Sequence, residues 1–167
     1  RAEPHMRTFR IFLLPFVFLC LVAGCMPAPF FHKEEAVPQD AWAYNWKPSF
    51  TFEITDTTKA YQPYFLIRHT QAYPYCNLWM WVYIKTPGDT VVKKQRINIT
   101  LADETGKWLG RGMGEIYEQQ MPFTFSDSVQ INKPGTYSVS FEQNMRINPL
   151  PDVLNVGLRV EQTPLHR

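Results

Sequence analysis

Cysteine is scarce. The chain has three among 167 residues, Cys20, Cys25 and Cys76, too few for the disulfide framework that holds small secreted folds together. Helical periodicity is missing as well: beyond residue 24 no stretch sustains an apolar stripe at 3.6-residue spacing, so helix is expected to be minor. Past that point only His32, His69 and His166 occur, and none stands in an H-x-x-x-H or H-E-x-x-H arrangement. That excludes the common zinc signatures. No G-x-S-x-G elbow is present for an acyl enzyme. These gaps point away from catalysis and from a bound cofactor.

The single long apolar run lies at the N-terminus. Ile11 to Ala23 is thirteen residues interrupted by Pro15, short of the roughly 20 that a spanning helix needs and within the range of a signal-peptide core. The basic segment Met6-Arg7-Thr8-Phe9-Arg10 precedes it, which makes Met6 the expected start, and Val22-Ala23-Gly24-Cys25 closes it. That ending resembles the bacterial lipobox, in which small residues admit the chain to a signal peptidase and the cysteine receives diacylglycerol. Val22 stands where leucine is usual, with Leu21 beside it. Residues 1–24 are thus expected to be a lipoprotein signal peptide and Cys25 the lipidated N-terminus and membrane anchor. Ordinary cleavage at a small residue is the competing reading.

Setting the leader aside removes three of the seventeen Lys and Arg and one of the fifteen Asp and Glu, which leaves 14 of each sign. Lys93-Lys94 is the longest basic run. Such a chain lacks the clustered cations that nucleic acid binding requires. With Cys20 removed and Cys25 acylated, Cys76 has no intramolecular partner. It is read as a small residue beside a turn, rather than a nucleophile served by His69.

Residues 25–48 contain Pro27, Pro29, Pro38 and Pro48 and read as an extended tether, whose Trp42, Tyr44 and Trp46 dock on the domain beyond it. From Ser49 the period is close to two. Phe50, Phe52 and Ile54 alternate with Thr51, Glu53 and Thr55; Ile97, Ile99 and Leu101 repeat the pattern, as do Tyr137, Val139 and Phe141, and Val156, Leu158 and Val160. Tyr64 to His69 and Leu78 to Lys85 add two further strands, and Asp103-Glu104-Thr105-Gly106 and Pro134-Gly135 are turns. The expectation is one all-β domain over residues 49–163, an antiparallel β-sandwich of about eight strands. The glycines of GKWLGRGMG have neither phosphate-loop spacing nor a following helix, and read as a kinked hairpin that lets Trp108 pack. Met145 to Pro151, with two prolines in three residues, is expected as an ordered surface connection rather than a strand.

Leu78 to Ile84 is apolar on both faces. A central strand covered on both sides is the favoured reading, and the other is an aromatic face of Trp79, Trp81 and Tyr83 shown to a partner. If Tyr73, Tyr75, Trp79 and Trp81 formed one exposed platform, the domain would be a lipid-anchored carbohydrate-binding module, the alternative function. Arg146 is expected in a structural ion pair, with a partner contact as the other possibility.

The lipobox, YPYCNLWMWVYI (73–84), LADETGKWLGRG (101–112) and EQNMRINPLPDVLNVGLRVE (142–161) together resemble the gliding-motility lipoprotein family GldH of the Bacteroidetes. The resemblance implies a lipid-anchored envelope protein required for gliding, a non-enzymatic structural or assembly component that works beside other gliding-motility or type IX secretion proteins. It supplies no catalytic, cofactor-binding or metal residue. Because MPAPFFH separates Cys25 from Lys33-Glu34-Glu35, no acidic tract adjoins the anchor, and an outer-membrane position facing the periplasm is expected.

Overall fold

The computed structural model describes residues 28–126 and 129–164; the signal peptide and Cys25 lie outside them. Among the described residues there are eleven strands and no α-helix. They are β1 (Phe31–Ala36), β2 (Ala41–Trp42), β3 (Ser49–Ile54), β4 (Lys59–Thr70), β5 (Asn77–Lys85), β6 (Lys93–Thr100), β7 (Arg111–Met113), β8 (Ile116–Pro122), β9 (Gly135–Gln143), β10 (Leu150–Pro151) and β11 (Val153–Pro164). A five-stranded sheet in the order β1-β11-β4-β8-β7 faces a four-stranded sheet β3-β9-β5-β6, and β10 pairs with β2 beside them. Every pairing is antiparallel.

Alternation decides which face of each sheet is inside. In β3, Phe50, Phe52 and Ile54 are buried and Ser49, Thr51 and Glu53 exposed, since successive side chains point to opposite faces. Phe141 of β9 and Phe65 of β4 meet edge to face across the two sheets with ring centroids 4.9 Å apart. Phe50 and Phe123 pack on the same Phe141 ring at 5.9 and 6.1 Å. Rings from both sheets thus meet on Phe141 within a core otherwise rich in Val, Leu and Ile, and such pairs add about 0.5–1.5 kcal/mol each to simple area burial.

The structure corrects two expectations. Residues 31–36, expected within the tether, form β1 and pair along their whole length with β11. Their polar sequence, FHKEEA, suits a sheet edge, where charged side chains blunt the exposed ladder. Trp42 is fully buried, stacked on Phe65 with its indole N–H donating to the Trp46 carbonyl at 3.0 Å, so the docking expected of the aromatic segment is real. The second correction concerns Met145–Pro151. Leu150 and Pro151 pair with Trp42 and Ala41, and Leu150 is fully buried. The buried Gln143 amide holds this segment, donating to the Trp42 and Ile147 carbonyls and accepting from the Met145 N–H.

Candidate functional site

Strand β5 lies inside its sheet, between β9 and β6. Leu78, Met80, Val82 and Ile84 point into the core, while Trp79, Trp81 and Tyr83 are half-buried on the outer face. The expectation of a strand covered on both sides is corrected: one face is core, and the other is an aromatic row roofed by cations. The register explains how. Asn98, Arg96 and Lys94 of β6 stand opposite Trp79, Trp81 and Tyr83, and the long cations lean diagonally by one row. The Arg96 guanidinium lies 4.3 Å from the Trp79 ring centroid and the Lys94 ammonium 4.8 Å from that of Trp81. Lys47, from the loop before β3, lies 5.5 Å over Tyr83 and pairs with Glu142 at 2.8 Å.

Glu142 also accepts from the Tyr83 hydroxyl at 2.5 Å. That hydrogen bond, followed by partial burial, pushes the Tyr83 phenol up to about 12. For Glu142 itself partial burial works upward, but the bonds from Lys47 and Tyr83 outweigh it and hold the carboxyl below its ordinary value. Beside this pair the Ser49 hydroxyl of β3 bonds the hydroxyls of both Ser138 and Ser140 on β9.

Tyr73 and Tyr75, though near in sequence, pack outside this row. Tyr73 is 4% exposed, its hydroxyl donates to the Asn77 carbonyl at 3.0 Å, and burial raises its pKa. It belongs to a second aromatic cluster, in which the fully buried His69 ring sits 4.6 Å from Trp108, 5.3 Å from Tyr73 and 5.8 Å from Tyr117. The His69 Nδ1 bonds the Thr70 carbonyl at 2.9 Å, and Nε2 has no hydrogen-bond partner. The proton therefore sits on Nδ1, and burial lowers the pKa of the ring against the weaker opposing effect of that bond. Trp108 reaches this cluster because Gly110 allows close approach; a Cβ there would lie 2.6 Å from the Glu118 carbonyl oxygen.

Tyr75 is half-buried with its ring 6.2 Å from Tyr73. The four rings that the alternative reading would join in one platform divide: Tyr73 lies in the core, and Trp79 and Trp81 stand under cations. Cys76 is exposed and unbridged, and no hydrogen bond joins it to His69. Arg146 is exposed, and among the described residues no carboxylate lies within ion-pair distance of it. Asp103 is occupied by its own turn, accepting from Thr105 N–H and O–H and from Lys107 N–H. Among the described residues no three of His, Cys, Asp and Glu converge as metal ligands.

The sequence of the roofed face and its two supporting strands falls inside residues 29–160, the span matched by the sequence model of the GldH lipoprotein family. The chain belongs to the GldH lipoprotein family. Two curated relatives agree with the family assignment. The gliding motility lipoprotein GldH homolog of Christiangramia forsetii is 26% identical over 162 residues, covering 93% of this chain and 96% of its own. The gliding motility lipoprotein GldH of Flavobacterium johnsoniae is 27% identical over 129 residues, 73% of this chain and 78% of its own. Among solved structures, the infectious bursal disease virus VP2 subviral particle aligns with 80% of this chain and 30% of its own at 13% identity and a TM-score of 0.33, too loose a likeness to carry an argument. Family membership makes the chain a gliding-related lipoprotein of the cell envelope.

Proposed function

We propose that this protein is a non-enzymatic structural or assembly component of the gliding machinery, held on the outer membrane by diacylglycerol on Cys25 and facing the periplasm. Its partners are other gliding-motility or type IX secretion proteins. One observation carries the reading: the family match begins at residue 29, immediately downstream of the lipobox-like Val22-Ala23-Gly24-Cys25. A diacylglycerol thioether supplies two acyl chains, and two chains hold a protein on a membrane where one is marginal. A binding role is supported by the most chemically distinctive surface of the fold, a row of rings roofed by cations.

A carbohydrate-binding role is the less favoured reading, since the indole faces that would stack on a sugar are opposite Arg96 and Lys94. The test is Cys25→Ala in a gliding strain. Labelling with a fatty-acid analogue is expected to disappear, uncleaved precursor to accumulate and motility to be lost. Label retained by the variant, or absent from the parent, would end the anchoring claim. Crosslinking followed by purification from the parent strain then identifies the partners.

A further inference from the structure

The described chain begins at residue 28, three residues after Cys25, and β1 begins at Phe31. An extended chain advances at most about 3.6 Å per residue, so a membrane-held Cys25 keeps Ala28 within about 11 Å of the lipid interface. This holds only if Cys25 is acylated, as proposed above. Which part of the sandwich is brought down is then a matter of topology.

Phe31 faces Val160, near the end of the sheet where Lys59 meets Pro164. Its ring packs on Phe52 at 5.6 Å, two residues before Ile54 meets Gly135. Gly135 in turn abuts Pro87, where a Cβ would lie 2.8 Å away. The β3–β4, β5–β6 and β8–β9 connections therefore share the end at which the anchor enters. A twelve-residue strand such as β4 extends about 40 Å, so the opposite end stands well away from it.

The anchor end carries the exposed pair Val91 and Val92, 69% and 50% accessible, followed directly by Lys93 and Lys94. Lys59, Lys85 and Lys133 lie at the same end, against Glu53, Asp56 and Asp89 among the described residues there, with Asp89 paired to Lys93 at 3.6 Å. At the opposite end the connections carry Asp40, Asp103, Glu104, Glu115 and Asp152 against Lys107 and Arg146. Aliphatic side chains beside lysines match a lipid interface: the apolar groups enter the headgroup boundary, while the amines reach phosphates.

We propose that the anchor end of the sandwich is a lipid-contacting surface, so that the domain stands end-on with Val91 and Val92 in the interface and its opposite end presented to partners. The experiment uses the full acylated protein with Cys76→Ser, in vesicles of phosphatidylethanolamine and phosphatidylglycerol. A single reporter thiol is placed by Val91→Cys or by Met113→Cys, an 86% exposed position beyond the opposite end of β4, and labelled with a polarity-sensitive fluorophore. Intact mass establishes the acyl chains on each preparation.

A spin-labelled lipid is expected to quench the fluorophore at position 91 several-fold more than the one at 113. Inserting twenty Gly/Ser residues between Ala28 and Pro29 is expected to remove most of that difference. Acylated protein quenched equally at both positions, or more at 113, overturns the proposal. A mass lacking the acyl chains removes the anchor and this proposal with it.

Discussion

Glu142 and His69 are two residues whose protonation the fold shifts within the acid range. The Glu142 carboxyl is held below its ordinary 4.5 by Lys47 and Tyr83 against the upward pull of partial burial. A depressed carboxylate contributes stability that is present above the unfolded value and lost as pH falls through the folded one. His69 is also depressed, by burial, from an ordinary 6.5. Its contribution is full above that value and erodes as pH falls below it, because the unfolded chain takes up the proton first. Thermal unfolding should therefore show a loss of stability between pH 7 and 5 that His69→Phe flattens, and a second loss below about pH 4.5 that Glu142→Gln flattens. An unchanged slope in either variant would show that the residue is not the titrating group. Neither feature was legible in the sequence, where His69 is one polar letter in a strand. Its ring partners Trp108 and Tyr117 come from a hairpin about forty residues away along the chain.

The alternation of Phe50 to Ile54, Ile97 to Leu101, Tyr137 to Phe141 and Val156 to Val160 announced four strands, because each lies in a sheet with one face in the core. Strand β1 was not announced. An edge strand buries little on either face, and its burial runs without strict alternation, so only the vacant edge of β11 calls it into the sheet. The aromatic row on β5 was visible as letters but not as a roofed surface, since Arg96, Lys94 and Lys47 arrive through register and loop packing. Gly157 shows how closely β1 is fitted: a Cβ there would lie 2.5 Å from Glu34 Cγ and 2.7 Å from the Lys33 carbonyl oxygen. Gly157→Ala should cost about 1–3 kcal/mol as β1 is pushed off its neighbour, read by denaturant unfolding. Faster amide exchange at residues 31–36 should accompany it, with β5 and β9 unchanged. Equal loss of protection across both sheets would place the strain elsewhere.

At the scale of the molecule, rings and aliphatic side chains packed between the two sheets hold the sandwich together, with no disulfide among the described residues. Phe141 touches Phe50, Phe65 and Phe123 and is fully buried. Phe141→Ala should cost about 3–5 kcal/mol by loss of transfer energy and an unfilled cavity, a large share of the total for a domain of this size. Chemical denaturation of the folded domain measures it, and a cost below about 1 kcal/mol would mean that the core collapses around the gap. The fold class was legible because short alternating strands dominate the chain. The paired position of β2 and β10 was not, because two residues on each side carry no periodicity.

The placement of β1 also has a mechanical meaning. It is the strand nearest the anchor, and all six of its residues pair with β11. A pull on the membrane side, opposed by a partner gripping the opposite end of the sandwich, runs along the strand rather than across it. The ladder is then loaded in shear, every pair sharing the force at once, whereas a pull across the strand would open the pairs one after another like a zipper. The chain enters its fold through the strand that resists best in that direction.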